Sequence, residues 1–224
     1  MGPTNPGILK KTGSITVTQN GTVIENVDMD GSITIDKGAS NVTIRNFRIK
    51  SGGYWGIAVM NGKNVLIEDG EIDGLNTMHD GIRGANYTAR RLHVHNMGGD
   101  SFKGDGNNVV ECNYVTKIGQ AAGAHGDGIQ MMGSGNIHIT KNNFDLTSGQ
   151  LTACVFPGGG SQPITTPIYV EGNRLTGGAY IVYCVKSMHV TNNVFGNYVY
   201  GPATGNCGTW SGNVWEKDGK PVIH

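Results

Sequence analysis

Charge is what this chain has little of. Only 15% of its 224 residues are charged and the formal net charge is zero, so nothing draws it toward nucleic acid and none is expected as a partner. No apolar run approaches the ~20 residues needed to cross a bilayer, and no membrane span is expected. The first seven residues, MGPTNPG, have neither the basic segment nor the apolar stretch of a signal peptide, and they read as a linker or the edge of an expressed fragment. Cysteine is sparse too: Cys112, Cys154, Cys184 and Cys207 have no CxxC spacing, which argues against zinc. Their even number permits two disulfides, as in an extracellular protein; buried free thiols account for them equally well.

Glycine, in contrast, reaches 37 residues with many asparagines and threonines beside it, a mixture that favours turns and β-branched strands over helices. The length suits one domain with a full core, and no shift of composition divides it. Short strand signals align as a repeat over residues 24–29, 44–49, 67–72, 89–94, 110–115, 139–144, 170–175, 190–195 and 210–215. The apolar residues that close these sets lie 20, 23, 22, 21, 29, 31, 20 and 20 residues apart. Asn113, Asn142, Asn173, Asn193 and Asn213 share one register. There a side-chain amide can donate to one turn and accept from the other, and it tolerates the left-handed backbone of a tight bend. Units of this size cannot bury an apolar face alone and must stack. The expected fold is therefore all-β, a single-stranded parallel β-helix of about nine coils over residues 13–224, with residues 1–12 as an N-terminal linker or cap. Two units are long, with extra residues in 117–126 and 147–166; insertions in solenoids become loops on one face, commonly the binding face.

Four stretches of the repeat superpose position for position: Trp55-Gly56-Ile57-Ala58, Asp80-Gly81-Ile82-Arg83, Asp100-Ser101-Phe102-Lys103 and Asp127-Gly128-Ile129-Gln130. Parallel strands lie about 4.8 Å apart, so Asp80, Asp100 and Asp127 should form a column of near neighbours. Carboxylates that close need a bound cation, a basic side chain or a raised pKa. With Ile82, Phe102 and Ile129 pointing inward, Arg83, Lys103 and Gln130 point outward, and Gly81, Ser101 and Gly128 are expected outward with them as a bare floor for a flat polymer. The Asp column faces the same groove only if it sits in the bend before each strand. Residues 76–79, 97–99 and 125–126 supply such bends and bring His79 and His125 next to carboxylates, where imidazoles can act as general bases. Trp55 and Tyr54, one turn earlier, offer an aromatic face to a sugar ring or a cap over the apolar interior. The competing reading of the column is a structural ladder whose carboxylates accept backbone N–H bonds. Arg90, Arg91, His93 and His95 lie on another face, where they could hold an anionic chain but read first as a solvated basic surface.

The repeated coils, the Asn stack and the segments HDGIRG, GDSFKGDGNNVVE and GAHGDGIQMMGSGNIHITKNNF resemble right-handed parallel β-helix proteins that act on polysaccharides, over nearly the whole chain. The chain is similar to compact β-helix domains of secreted actinobacterial proteins and phage minor tail proteins, to alginate lyases and mannuronan epimerases, and more distantly to polygalacturonases. The lyase and epimerase resemblance implies removal of the C5 proton of a uronate. In that setting Asp80, Asp100 and Asp127 would hold calcium or orient the base. Lys103 would be the first base candidate with His79 or His125 as replacements, and Arg83 would pair with the uronate beside Gln130, Trp55 and Tyr54. The polygalacturonase resemblance implies an inverting hydrolase in which Asp80 and Asp127, about 9.6 Å apart by strand spacing, serve as acid and base. Ser101 stands where that family has a second Asp. A phage or cell-surface relationship implies instead a non-catalytic glycan- or receptor-binding domain. Together these resemblances imply an anionic polysaccharide as partner, an extracellular or virion-surface location, and a monomer or, for a phage protein, a homotrimer. The first expectation is a polysaccharide lyase or C5-epimerase with its groove over residues 54–152.

Overall fold

The structure is a computed structural model that describes residues 1–160 and 163–224. It is a parallel β-solenoid of about nine turns, with one short 3-10 turn at Pro6–Ile8. No helix is long and apolar enough to cross a membrane.

Two sheets run along the solenoid. One is a stack of nine strands that includes Trp55–Val59, Asp80–Gly84, Asp100–Gly104, Gly126–Met131 and Leu151–Pro157. The other begins with long strands, among them Ser40–Lys50 and Lys63–Asp73, that turn a corner within themselves. From the next coil onward that path divides, as in Tyr87–Arg90 and His93–His95, so the second sheet has two arms.

One left-handed residue makes each of these corners. Asn46, Asp69, Arg91, Cys112, Lys141, Gly172, Asn192 and Gly212 occupy it with φ between 47° and 66°. The residue immediately after the corner turns inward, and in the later coils it is the asparagine of the expected stack. Asn113 Nδ2 donates to Asn142 Oδ1 at 3.0 Å, Asn142 to Asn173 at 3.0 Å, Asn173 to Asn193 at 2.9 Å and Asn193 to Asn213 at 3.0 Å. The backbone N–H of each donor residue reaches the same acceptor oxygen. The ladder ends where Leu92 takes the position and its N–H donates to Asn113 Oδ1 at 3.0 Å. The stack thus forms as its register suggests, but the left-handed backbone belongs to the residue before each ladder asparagine. Carbonyls and amides at the corner are buried, and an unpaired one would cost about 1–3 kcal/mol.

Inside the coil, Ile33, Ile57, Ile82, Phe102, Ile129, Val155 and Val182 follow one another in register, all fully buried. Each such side chain contributes roughly 1.5–3 kcal/mol of apolar burial.

Three expectations change. Residues 147–166 are not one loop: Leu151–Pro157 is a strand paired with both Gly126–Met131 and Tyr180–Cys184. The additional residues of that coil follow it, and Ser161 and Gln162 among them lie outside the described residues. At the N-terminus, Lys10–Thr12 pairs with Val23–Met29, and Asn5 N donates to Asn46 Oδ1 at 2.9 Å, so the first dozen residues are joined to the sheet they cap. The cysteines divide between the two readings. Cys184 and Cys207 form a disulfide, while Cys112 and Cys154 are free thiols, the latter buried.

Candidate active site

Trp55, Asp80 and Asp100 are direct register partners on successive strands, and Asp127 follows at a point where the ladder to the next strand shifts register. All three carboxylates are enclosed: Asp80, Asp100 and Asp127 are 0%, 3% and 1% exposed. Asp80 and Asp100 nevertheless lie on the outer side of the sheet, because they meet side chains of the outward Arg83 and Lys103 column.

The glycines explain this. A Cβ on Gly81 would lie 3.2 Å from Val94 Cγ1, and one on Gly128 would lie 2.7 Å from Phe144 Cδ2, both inside the core. Gly81, Ser101 and Gly128 therefore face inward, and the bare outward floor expected of them does not exist. Two successive inward residues at the start of each strand reverse the alternation, and that reversal puts Asp and the residue three positions later on one face. Ser101 Oγ is fully buried and has no hydrogen-bond partner among the described residues.

The carboxylate oxygens divide between backbone N–H groups, as in a structural ladder, and charged side chains. Asp100 Oδ1 accepts from Asp127 N at 2.9 Å, and Asp127 Oδ1 accepts from Ala153 N at 3.0 Å, which ties each coil to the next. Both oxygens of Asp80 and the second oxygen of Asp100 meet charged or ionisable side chains. Asp80 Oδ1 meets His79 Nδ1 at 2.7 Å and Lys103 Nζ at 3.0 Å, Asp80 Oδ2 accepts from Arg83 at 3.1 Å, and Asp100 Oδ2 meets Lys103 Nζ at 3.2 Å.

Burial pushes the Asp100 carboxyl up to about 6, against the pull of Lys103 and of the Asp127 N–H. Burial and then the neighbouring Asp100 push Asp127 up to about 9, so Asp127 is a neutral acid at neutral pH. Burial works against the Lys103 ammonium, but Asp100 and Asp80 outweigh it and raise its pKa. Lys103 is held as a cation, a state unsuited to the base role that the lyase resemblance implies for it.

Beside this cluster opens a cavity of about 330 Å³ lined by His79, Asp100, Lys103, Gln130, the Gly98-Gly99 turn and residues 121–125, His125 included. The loop over it is pinned from two sides. Ala121 N donates to Gly98 O at 3.1 Å and Gly119 N to Gly99 O at 3.1 Å; from the following coil, Gln150 accepts from Gly126 N at 2.8 Å and, through its side chain, from Gly123 N at 3.1 Å. The long unit does wall the groove, as its length suggests.

At one end, the exposed Tyr54 ring stacks on His79 with centroids 4.7 Å apart and planes 5° apart. The Arg83 guanidinium lies over Tyr54 at 5.9 Å and over Trp55 at 5.6 Å, within cation–π range. The structure therefore joins Tyr54, Trp55, His79, Asp80, Arg83, Asp100 and Lys103 in one cluster and places Gln130 and His125 on the same cavity. Asp127 adjoins Asp100 but is sealed beneath the surface.

Calcium does not fit this donor set. Side-chain cations and backbone N–H groups already engage the Asp80 and Asp100 oxygens. Among the described residues, the one set of three or more metal-ligating side chains whose donor atoms converge within 4.8 Å is Glu71, His93 and His95, on the other sheet.

Sequence reasoning passed over Tyr87, whose buried hydroxyl donates to the Lys103 carbonyl at 3.1 Å and supports that residue from below. No motif marks it. The small residues 121–124 are more legible, as an Ala- and Gly-rich run inside a lengthened unit. Arg90 and Arg91 stay partly exposed, but their charge is matched: Arg90 pairs with Glu68 at 2.8 Å, and Arg91 pairs with Glu68 and Asp69, each at 2.7 Å.

Comparison with known proteins finds no matching family model, no matching curated protein and no matching solved structure.

Proposed function

We propose that the protein is a polysaccharide lyase or C5-epimerase that removes the C5 proton of a uronate residue. A parallel β-helix with a lateral groove suits a polysaccharide-acting enzyme or a glycan-binding domain. The observation that favours chemistry is the His79 and Asp80 pair at the cavity. With Nδ1–H of His79 donating to Asp80 Oδ1 at 2.7 Å, the lone pair rests on Nε2 of a ring that is 49% exposed. A carboxylate that fixes the tautomer of a partly exposed imidazole is the usual support of a general base.

The neighbouring groups suit the rest of the reaction. Arg83 and the cationic Lys103 neutralise the uronate carboxylate, so negative charge at C5 can spread into it as His79 takes the proton. For a lyase, the electron pair then expels the C4 oxygen, the C4–O bond breaks, and a C4–C5 double bond forms. The leaving oxygen takes a proton from Asp100, whose raised pKa of about 6 suits an acid, or from His125 across the cavity. For an epimerase, the same acid returns a proton to the opposite face of C5. Tyr54, Trp55 and Gln130 seat the sugar rings.

An inverting hydrolase is less well supported, because it would need Asp127 to work on substrate or water, and Asp127, unlike Asp100, is not among the residues that line the cavity. The deciding experiment incubates the protein with a panel of uronate polymers. Ultraviolet absorbance reads the unsaturated lyase product, and NMR in deuterated water reads deuterium entering C5 for an epimerase. His79→Ala should abolish either signal while polymer binding remains. Binding without turnover by the wild-type protein on every uronate would replace this reading with that of a glycan-binding domain.

A further inference from the structure

We infer that Glu71, His93 and His95 form a binding site for a divalent transition-metal ion, with zinc the ion their chemistry suits. The three side chains stand together because of register. His93 is paired with Glu71 on the neighbouring strand, and His95, two residues on, leaves the strand on the same side. One donor atom from each lies within 4.8 Å of the others. A tetrahedral zinc with ~2.1 Å bonds separates its ligands by roughly 3.4 Å, so the side chains would turn toward one another to close on the ion.

A second observation points the same way. His93 Nε2 is fully buried and has no hydrogen-bond partner among the described residues. Such an atom is a standing loss unless something not present here satisfies it. His95 Nε2 donates to Glu71 Oε1 at 3.0 Å, so an ion bound here would take the place of that proton between the imidazole nitrogen and the carboxylate oxygen.

The surroundings are those of a supported ligand set. Arg48 Nε donates to Glu71 Oε2 at 3.0 Å, which orients the carboxylate with Oε1 turned toward His95. His93 is held between rings, 4.2 Å from His95 and 5.1 Å from Tyr114. A cavity of about 390 Å³ bounded by Met1, Tyr114 and Asn143 reaches His93, the first of the three side chains. Two imidazoles and one carboxylate favour zinc, cobalt or nickel over magnesium or calcium, which prefer all-oxygen shells. The ion would fasten Lys63–Asp73 to His93–His95, the two strands that lead into the turns carrying His79 and the Gly98-Gly99 wall of the cavity.

The test is isothermal titration of tag-free protein with zinc chloride in a non-chelating buffer, with cobalt absorbance as a second reading of the ligand field. One equivalent should bind the wild-type protein. His93→Phe, which keeps a ring against Tyr114, should weaken binding at least about tenfold, and a His138→Phe control should leave it unchanged. Glu71→Gln, which keeps a hydrogen bond to His95, should weaken it as well and decides the matter if His93→Phe does not fold. Absence of stoichiometric binding by the wild-type protein, or equal affinity in the folded Glu71 or His93 variant, overturns the assignment.

Discussion

Replacing Asp127 with Asn should make the fold increasingly more stable than the wild type as pH rises. Asp127 is almost completely enclosed, and its carboxyl is pushed from an ordinary 3.8 up to about 9, first by burial and then by Asp100. A folded-state pKa raised in this way gives stability that is fully present below pH 3.8 and is lost progressively as pH climbs toward 9. Across that window the folded protein keeps a proton that the unfolded chain has released. Each pH unit then removes about 1.4 kcal/mol. Asparagine mimics the protonated acid and keeps the Oδ1 acceptor for the Ala153 N–H, now at 3.0 Å, but it does not titrate. The stability difference between variant and wild type should therefore shift in favour of the variant by about 4 kcal/mol between about pH 5 and pH 8. Other titrating groups, Asp100 with its pKa of about 6 among them, are common to both proteins and largely cancel in the difference. Urea unfolding of both proteins at several pH values measures it. A difference that stays flat with pH, or that moves against the variant, would refute the account of Asp127 as a buried neutral acid.

Other expectations are narrower. His79→Ala should lower turnover by roughly 10²–10⁴ and, because it also removes a hydrogen bond to the buried Asp80, should cost about 1–3 kcal/mol in urea unfolding while the fold remains. Asn173→Ala removes the acceptor of the Asn142 N–H and the donors to Ile139 O and Asn193 Oδ1, so urea denaturation should show a loss of about 3 kcal/mol or more. Replacing Cys184 and Cys207 together by Ser releases a cross-link over 23 residues of sequence and should lower stability by about 3 kcal/mol, whereas reductant should not alter the double variant.

Much of the fold is legible in the chain because a solenoid repeats one environment. Residues about one coil apart meet the same neighbours, so Asn113 to Asn213 and the Ile and Phe column stand out before any coordinates are known. The strand Leu151–Pro157 does not stand out, because the coil containing it lost the Asp of its predecessors and Ala153 took the place. The site is legible to a lesser degree. Asp80, Asp100, Arg83 and Lys103 announce their columns, and His79 its place beside them. The direction of Gly81, Ser101 and Gly128 is not, since a period-two rule cannot foresee two successive residues turning inward.

What the sequence by itself determined is the stack: its period, its inner ladder, and the convergence of acidic and basic columns on three consecutive coils. These follow from register, which depends only on spacing along the chain. The tertiary structure alone decided the charge state and access of each group. Lys103 stays an ammonium because two carboxylates close on it. Asp127 holds its proton because the coil buries it beside Asp100, while His79 stays open to the groove with Asp80 behind it. Those outcomes depend on distance and on exclusion of water in three dimensions, which no spacing along the chain encodes.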